Sequence, residues 1–225
     1  MIHHLVFGRK AIVKNEGLIL DLPFQNSFVD ATGKNTMIAG GASNLPTFTL
    51  EGGEYAATFN GSQSIKTTTN LLLNSDKVTI AFWMKTTQTS AAVVGEMSPN
   101  TNSNNTFSWY INDSVANSVQ FNSRNTGHNQ SAITGANNGT WKHFVAVIDR
   151  SKNGANEILI YENGSLVKFT KPFSTDNNGN FVNNILFIGQ RAGNSLGFNG
   201  QLKFLKIFNY PLSTTEITNL YNKTM

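Results

Sequence analysis

Residues 198–217 read FNGQLKFLKIFNYPLSTTEI, and this stretch decides the fold. Residues 201–208 are dense in branched and aromatic side chains, the composition of a strand. Tyr210-Pro211 then breaks the strand, because proline fixes its own φ and donates no backbone N–H. Ser213-Thr214-Thr215-Glu216 has the spacing of a capping box, in which the serine caps a helix start and the glutamate reaches back to it. Ile217, Leu220 and Tyr221 then fall on one face of a short terminal helix. Two lysines, Lys203 and Lys206, sit inside the strand-like part, so the strand has to place two ammonium groups.

Upstream, alternation with period 2 dominates. In VTIAFWMKT (78–86), Val78, Ile80, Phe82 and Met84 point one way and Thr79, Ala81, Trp83 and Lys85 the other. FSWYIN (107–112) and SVQFNSR (118–124) read as a strand pair, and WKHFVAVID (141–149) as a further strand. EILIY (157–161), Asn163-Gly164 and SLVKF (165–169) read as a hairpin, since Asn-Gly accepts the positive φ angles of a type I′ turn. GLILDLPF (17–24), PTFTL (46–50), EYAATFN (54–60) and NILFIGQ (184–190) complete the set. Helical periodicity is confined to the end. No composition shift divides the chain; residues 1–16 are separable as an arm or edge strand, and 17–225 form one domain.

The composition fits a many-stranded sandwich. Of 225 residues, 39% are apolar and 13% charged, enough for a core and too uncharged for disorder. The net charge of +4 is scattered apart from Arg9, Lys10 and Lys14, so it forms no basic stripe and predicts no nucleic-acid partner. With no cysteine, disulfides and thiol catalysis are excluded. No apolar run reaches the roughly 18–20 residues that span a bilayer, and no signal peptide is evident, so membrane insertion is not expected.

Taken in order, these landmarks resemble the laminin-G-like, concanavalin A-like jelly rolls. The segments are LILDLPFQNSFVDATGKN (18–35), EYAATFNGSQSI (54–65), VTIAFWMKT, GTWKHFVAVIDR (139–150), EILIYENGSLV (157–167), ILFIGQ (185–190) and the closing stretch. The resemblance implies an all-β sandwich of two antiparallel sheets with a short C-terminal helix. It implies glycan or protein binding at a concave sheet and its rim, and in some members structural calcium. In that pattern Asp30, with Gly33 three residues on, stands in the loop that contributes to the metal site. Lys203 and Phe204 stand where an acidic pair is usual, and an ammonium group repels calcium. Two readings stay open: Asp30 caps a turn, or it serves a reduced calcium site with loop carbonyls. A third idea has Lys203 pairing with Asp30 in place of the metal.

For binding, sugar recognition needs an aromatic face and planar polar partners. Trp83 and Trp141 match strand positions of the resemblance and are expected in the core. Trp109 and Tyr110 are adjacent on one strand, so one of them faces away from the core. The loop 122–130 adds Arg124, Asn125, His128 and Asn129 as polar partners. These six residues are the candidate glycan site. For catalysis, the paired-carboxylate motif of the glucanases and the G-x-S-x-G elbow are both missing, Glu51-Gly-Gly-Glu54 reads as a turn, Glu157 and Glu162 as solvated, and His143 as structural. The expectation is a noncatalytic jelly-roll protein displayed on a larger surface: a bacteriophage virion decoration or tail protein docked through residues 1–16, at the virion surface or outside the cell. The alternatives are a carbohydrate-binding domain of a bacterial surface protein and, more remotely, a glucanase. The Met1 start and missing signal favour the virion reading.

Overall fold

The structure is a computed structural model, and it describes residues 16–41, 44–98, 106–167 and 169–224. Residues 1–15, almost all of the expected arm, lie outside the described residues. Two eight-stranded antiparallel sheets stack face to face. Sheet I follows the order β13 (Ser165–Leu166), β12 (Ile158–Glu162), β11 (Lys142–Asp149), β6 (Lys77–Lys85), β16 (Asn199–Phe208), β4 (Glu54–Asn60) and β3 (Thr47–Glu51), and β1 (Leu18–Leu22) also pairs with β16. Sheet II follows the order β14 (Thr170–Ser174), β10 (His128–Thr134), β9 (Ser118–Arg124), β8 (Thr106–Ile111), β7 (Ala92–Met97), β15 (Leu186–Ile188), β5 (Ile65–Thr67) and β2 (Met37–Ala39). The jelly-roll expectation holds, down to the terminal helix α1 (Thr214–Lys223) with its reciprocal Ser213–Glu216 capping box.

The core lies between the sheets, built from alternate residues of each strand. Phe82 is its centre, with the rings of Trp109, Phe121 and Phe144 at 6.0, 6.2 and 6.0 Å. A second apolar layer covers the outside of sheet I, where Ile217 and Leu220 of α1 pack on Ala81, Val145, Val147, Tyr161 and Phe208. Trp83 and Trp141 lie on this outer side, half-buried, and not in the inter-sheet core as the sequence predicted. They share the parity of Ala81 and Val145, which face the helix. Trp83 stacks on Tyr221 at 5.6 Å and donates to Thr224 Oγ1.

The lysines of the closing strand are resolved by a bulge. The β16 register shifts between Lys203 and Lys206, with Phe204 at φ 50°. Lys203 pairs opposite Trp83 and Lys206 opposite Ala81, so both face outward while Leu205 is fully buried. Lys203 Nζ lies 4.5 Å from the Trp141 ring centre and 3.7 Å from Glu54, and Lys206 pairs with Asp21. The idea that Lys203 pairs with Asp30 is therefore wrong. Its strand position faces the β4 side of the sheet instead.

Candidate functional site

The outer face of sheet II carries a polar cleft. The inner face of β8 is Phe107, Trp109 and Ile111, all in the core, so Thr106, Ser108 and Tyr110 face out. On β9, Val119 and Phe121 face in, and Asn122 and Arg124 face out. β7 contributes Glu96 only through a bulge. Strict alternation from Ala92 and Val94 would turn Glu96 into the core. The register shift between Val93 and Gly95 sets Glu96 opposite Ser108, on the outer face. Gly95 is required there: a Cβ would sit 2.3 Å from the Trp109 ring.

Arg191 comes from the loop after β15. That loop holds Ala192 at φ 47° and Leu196 at φ 48°, conformations that L-residues seldom adopt. Its hold on the site is direct. Ala192 N donates to Glu96 Oε1 at 3.0 Å, Arg191 Nη2 donates to the Tyr110 hydroxyl at 2.9 Å, and Arg191 Nε lies 3.5 Å from Glu96 Oε2. Burial pushes the Glu96 carboxyl above its ordinary range, against the pull of Arg191 and the Ala192 amide. Burial and the Glu96 charge push the Tyr110 hydroxyl up as well. The result is a closed triad, with the carboxylate's acceptors largely in use.

Ser98, Thr106, Asp113, Asn122 and Arg124 complete the lining, around a cavity of ≈ 40 Å³. That is room for a small polar group and not for a whole sugar ring. Asn122 is 3% exposed; its Oδ1 lies 3.1 Å from His128 Nε2, and its Nδ2 has no partner. Behind the sheet, Arg150 donates to the carbonyls of Arg124 at 2.7 Å and Thr106 at 3.3 Å, fixing the strand ends that carry two of the lining residues.

The cleft lies on one transverse row. Asn122 pairs with Gln130, and Gln130 with Phe173 on β14. In the other direction Ser108 pairs with Glu96, and Glu96 with Phe187. Phe173 is 45% exposed, and its ring stacks on His128 at 4.2 Å.

Of the six residues expected to bind, Tyr110 and Arg124 line the cleft, and His128 supports it through Asn122. Burial, with the Arg124 charge, lowers the His128 pKa to about 4. Trp109 is fully buried in the inter-sheet core and has no ring face to offer. Asn129 is also fully buried: what was read as a loop is the start of β10, whose Asn129 faces inward and donates to the Gly154 carbonyl. Asn125 lies outside the cleft lining and donates to the Asn178 carbonyl. Glu157 is fully buried, not solvated, and is bonded by Asn177. Glu96, Ser108, Asn122 and Arg191 escaped the sequence reading.

Asp30 caps a turn. Its carboxylate accepts from Asp21 N, Thr32 N, Thr32 Oγ1, Asn35 N and Asn35 Nδ2 at 2.7 to 3.0 Å, and Gly33 N closes onto its carbonyl. Burial acts to raise its pKa, but the donors from Thr32, Asp21 and Asn35 outweigh it and lower the pKa overall. Five donors on about four lone-pair sites leave no oxygen open to a cation, so these residues do not fit a calcium site. Among the described residues no three acidic, histidine or cysteine side chains group as metal ligands.

Residues 59–218 match the family model described as the concanavalin A-like lectin/glucanases superfamily. The chain belongs to this superfamily. No curated protein matches it in sequence. Among solved structures it is similar to the binding domain of botulinum neurotoxin serotype C1, with TM-score 0.70 and 17% identity over 94% of this chain and 53% of that one. It is also similar to the receptor binding domain of botulinum neurotoxin type G, with TM-score 0.66 and 16% identity over 92% of this chain and 51% of that one. A third is botulinum neurotoxin type C, whose cell entry depends on interaction with two ganglioside molecules, with TM-score 0.69 and 16% identity over 94% and 52%. The chain spans about half the length of these structures, and likeness at this identity concerns the fold. Among the described residues no helix of this superfamily member is long and apolar enough to cross a membrane.

Proposed function

We propose that the protein is a noncatalytic jelly-roll binding module, displayed on a larger surface, that holds a saccharide on the outer face of sheet II. One observation carries this reading. A cleft walled by hydroxyl, amide, guanidinium and carboxylate groups lies on the same transverse row as the exposed ring of Phe173. Two strand spacings, roughly 10 Å, separate Asn122 from Phe173. A sugar chain has the matching features: hydroxyl and acyl groups for the cleft and C–H faces for the ring. The ganglioside dependence of the type C neurotoxin, a structure of the same fold, is in keeping with it.

The noncatalytic part rests on Glu96. A glycoside hydrolase needs one carboxyl free to give up a proton and a second facing it. Glu96 is tied to Ala192 N, Arg191 and Tyr110, and Asp113 is exposed at the rim. A glycan array tests the binding reading: selective binding of one saccharide class, lost in Tyr110→Ala, supports it, and an array without signal refutes it. Reducing-sugar release from the bound saccharide would refute the noncatalytic part. Display on a bacteriophage virion is the finer form of the proposal, and co-sedimentation of the protein with particles tests it.

A further inference from the structure

The lining of the cleft divides by what is already engaged. Glu96 and Arg191 neutralise each other, with Tyr110 between them. Asp113 is exposed at the rim, where its charge acts on Arg191 and His128. Arg124 pairs with Thr106 at the far end of β8 and has no carboxylate within 4.0 Å among the described residues. Arg191 Nε, although 3.5 Å from Glu96 Oε2, makes no hydrogen bond, but its charge is compensated. Two further groups are left open beside each other. Asn122 Nδ2 is buried in the cleft wall without an acceptor, and its Oδ1 is held toward His128, which turns the donor to the cleft. A buried amide donor left unpaired costs about 1–3 kcal/mol, so a native site that keeps one has a use for it. Arg124 stands two residues along β9 on the same face. Among the described residues its guanidinium has neither a hydrogen-bond acceptor nor a carboxylate within 4.0 Å.

This end of the cleft therefore offers donors and a positive charge. A sugar hydroxyl would satisfy Asn122 but leave the Arg124 charge unused. An acceptor-only anion satisfies both, and charge-assisted hydrogen bonds are about twice as strong as neutral ones. The cavity of ≈ 40 Å³ sets the size to a single small group. We propose, on the basis of the saccharide reading above, that the cleft takes the acidic group of an anionic saccharide, a carboxylate or a sulfate ester, held by Asn122 Nδ2 and Arg124. Phe173 lies further along the row, so the acidic residue occupies the cleft and the remainder of the chain extends toward β14.

The test is calorimetric titration of three matched oligosaccharide series, neutral, carboxylated and sulfated, against the wild type, Asn122→Asp and Arg124→Gln. Asn122→Asp keeps the oxygen that faces His128 and replaces the donor by an acceptor of the same size. The expected result is that one acidic series binds at least about tenfold tighter than the neutral one, and that each variant loses about tenfold or more for it. Which acidic series binds separates carboxylate from sulfate. Arg124→Gln also flattens the salt dependence. Equal affinity for neutral and acidic series overturns the acidic-group assignment and leaves the saccharide reading standing. So does an acid preference that neither variant changes, because the acid then binds elsewhere. Binding in none of the three series overturns both. If Asn122→Asp does not fold, Arg124→Gln decides alone, since among the described residues the Arg124 side chain makes no hydrogen bond or ion pair.

Discussion

On the outer face of sheet I the lysines have carboxylates: Lys203 faces Glu54, Lys206 Asp21 and Lys85 Glu51. Helix α1 covers the apolar strip beside them. On the outer face of sheet II, Asn122 Nδ2 has no hydrogen bond, Arg124 has no carboxylate within 4.0 Å among the described residues, and Phe173 keeps a ring 45% exposed. Both faces rest on one core and one pattern of antiparallel pairing. The difference teaches where function sits. Both faces keep buried polar atoms without a hydrogen bond, Asp21 Oδ1, Trp141 Nε1 and His143 Nδ1 on sheet I and Asn122 Nδ2 on sheet II. What separates them is charge and apolar cover. The face whose lysines are paired and whose apolar strip lies under α1 is scaffold, and the face with an uncompensated guanidinium and an exposed ring is built for something that arrives.

The comparison can be broken from the core outward. Trp109 supports both faces, packing on Phe82 within and filling the space beside Gly95 beneath Glu96. Trp109→Ala should lose about 3–5 kcal/mol in urea unfolding, the usual cost of truncating a buried aromatic. A loss below about 1 kcal/mol would mean that the ring is not the common support.

Both faces should be acid-sensitive, since burial with the Arg124 charge also lowers the pKa of half-buried His128 to about 4, but the more deeply buried His143 is the cleaner probe. Burial lowers the His143 pKa to about 4, and its Nδ1 has no partner beneath Trp83 and Tyr221. The folded state thus favours neutral His143, while the unfolded chain titrates near 6.5. Stability is complete above pH 6.5 and falls as the pH drops toward 4, by on the order of 3 kcal/mol from this residue. Thermal melts across that window should show the slope in the wild type and a shallower one in His143→Gln. An identical slope would remove His143 from the account.

A paired set of substitutions sharpens the contrast. Lys206→Ala strands the Asp21 carboxylate, whose Oδ1 already lacks a partner, and should cost about 1–3 kcal/mol. Arg124→Ala removes a cation that has no ion pair among the described residues and should stay within about 0.5 kcal/mol. Equal losses would mean that both faces are structural. At the small end, Asp30 predicts that chelator or added calcium leaves the melting temperature unchanged; a rise with calcium would show a site that its five donors argue against.

Most of the fold was legible because its strands alternate. Phe82 and Trp83, or Trp109 and Tyr110, announce two faces by being neighbours. The Asn163-Gly164 hairpin and the Ser213 capping box depend on local chemistry, so they could be read locally. The misreadings have long-range causes. β10 was hidden because its inward residues Asn129 and Ser131 are polar, satisfied by the Gly154 carbonyl and by Lys171 from distant segments. Glu96 was hidden because only a bulge against β8 turns it outward, and Arg191 because only the strained loop at Ala192 carries it to the cleft. Tyr110 was legible as an outward residue from alternation and Arg124 only as a polar residue of the stretch 122–130; the groups that surround them in the cleft come from other strands.

The most direct measurement compares the two outer faces by titrating the saccharide selected on an array against Tyr110→Ala and Trp141→Ala, each verified folded by its melt. Tyr110 lies in the open cleft, and Trp141 lies under Lys203 on the closed face. Loss of about tenfold or more in Tyr110→Ala with unchanged affinity in Trp141→Ala is the predicted result; loss in Trp141→Ala with Tyr110→Ala unaffected would contradict the account.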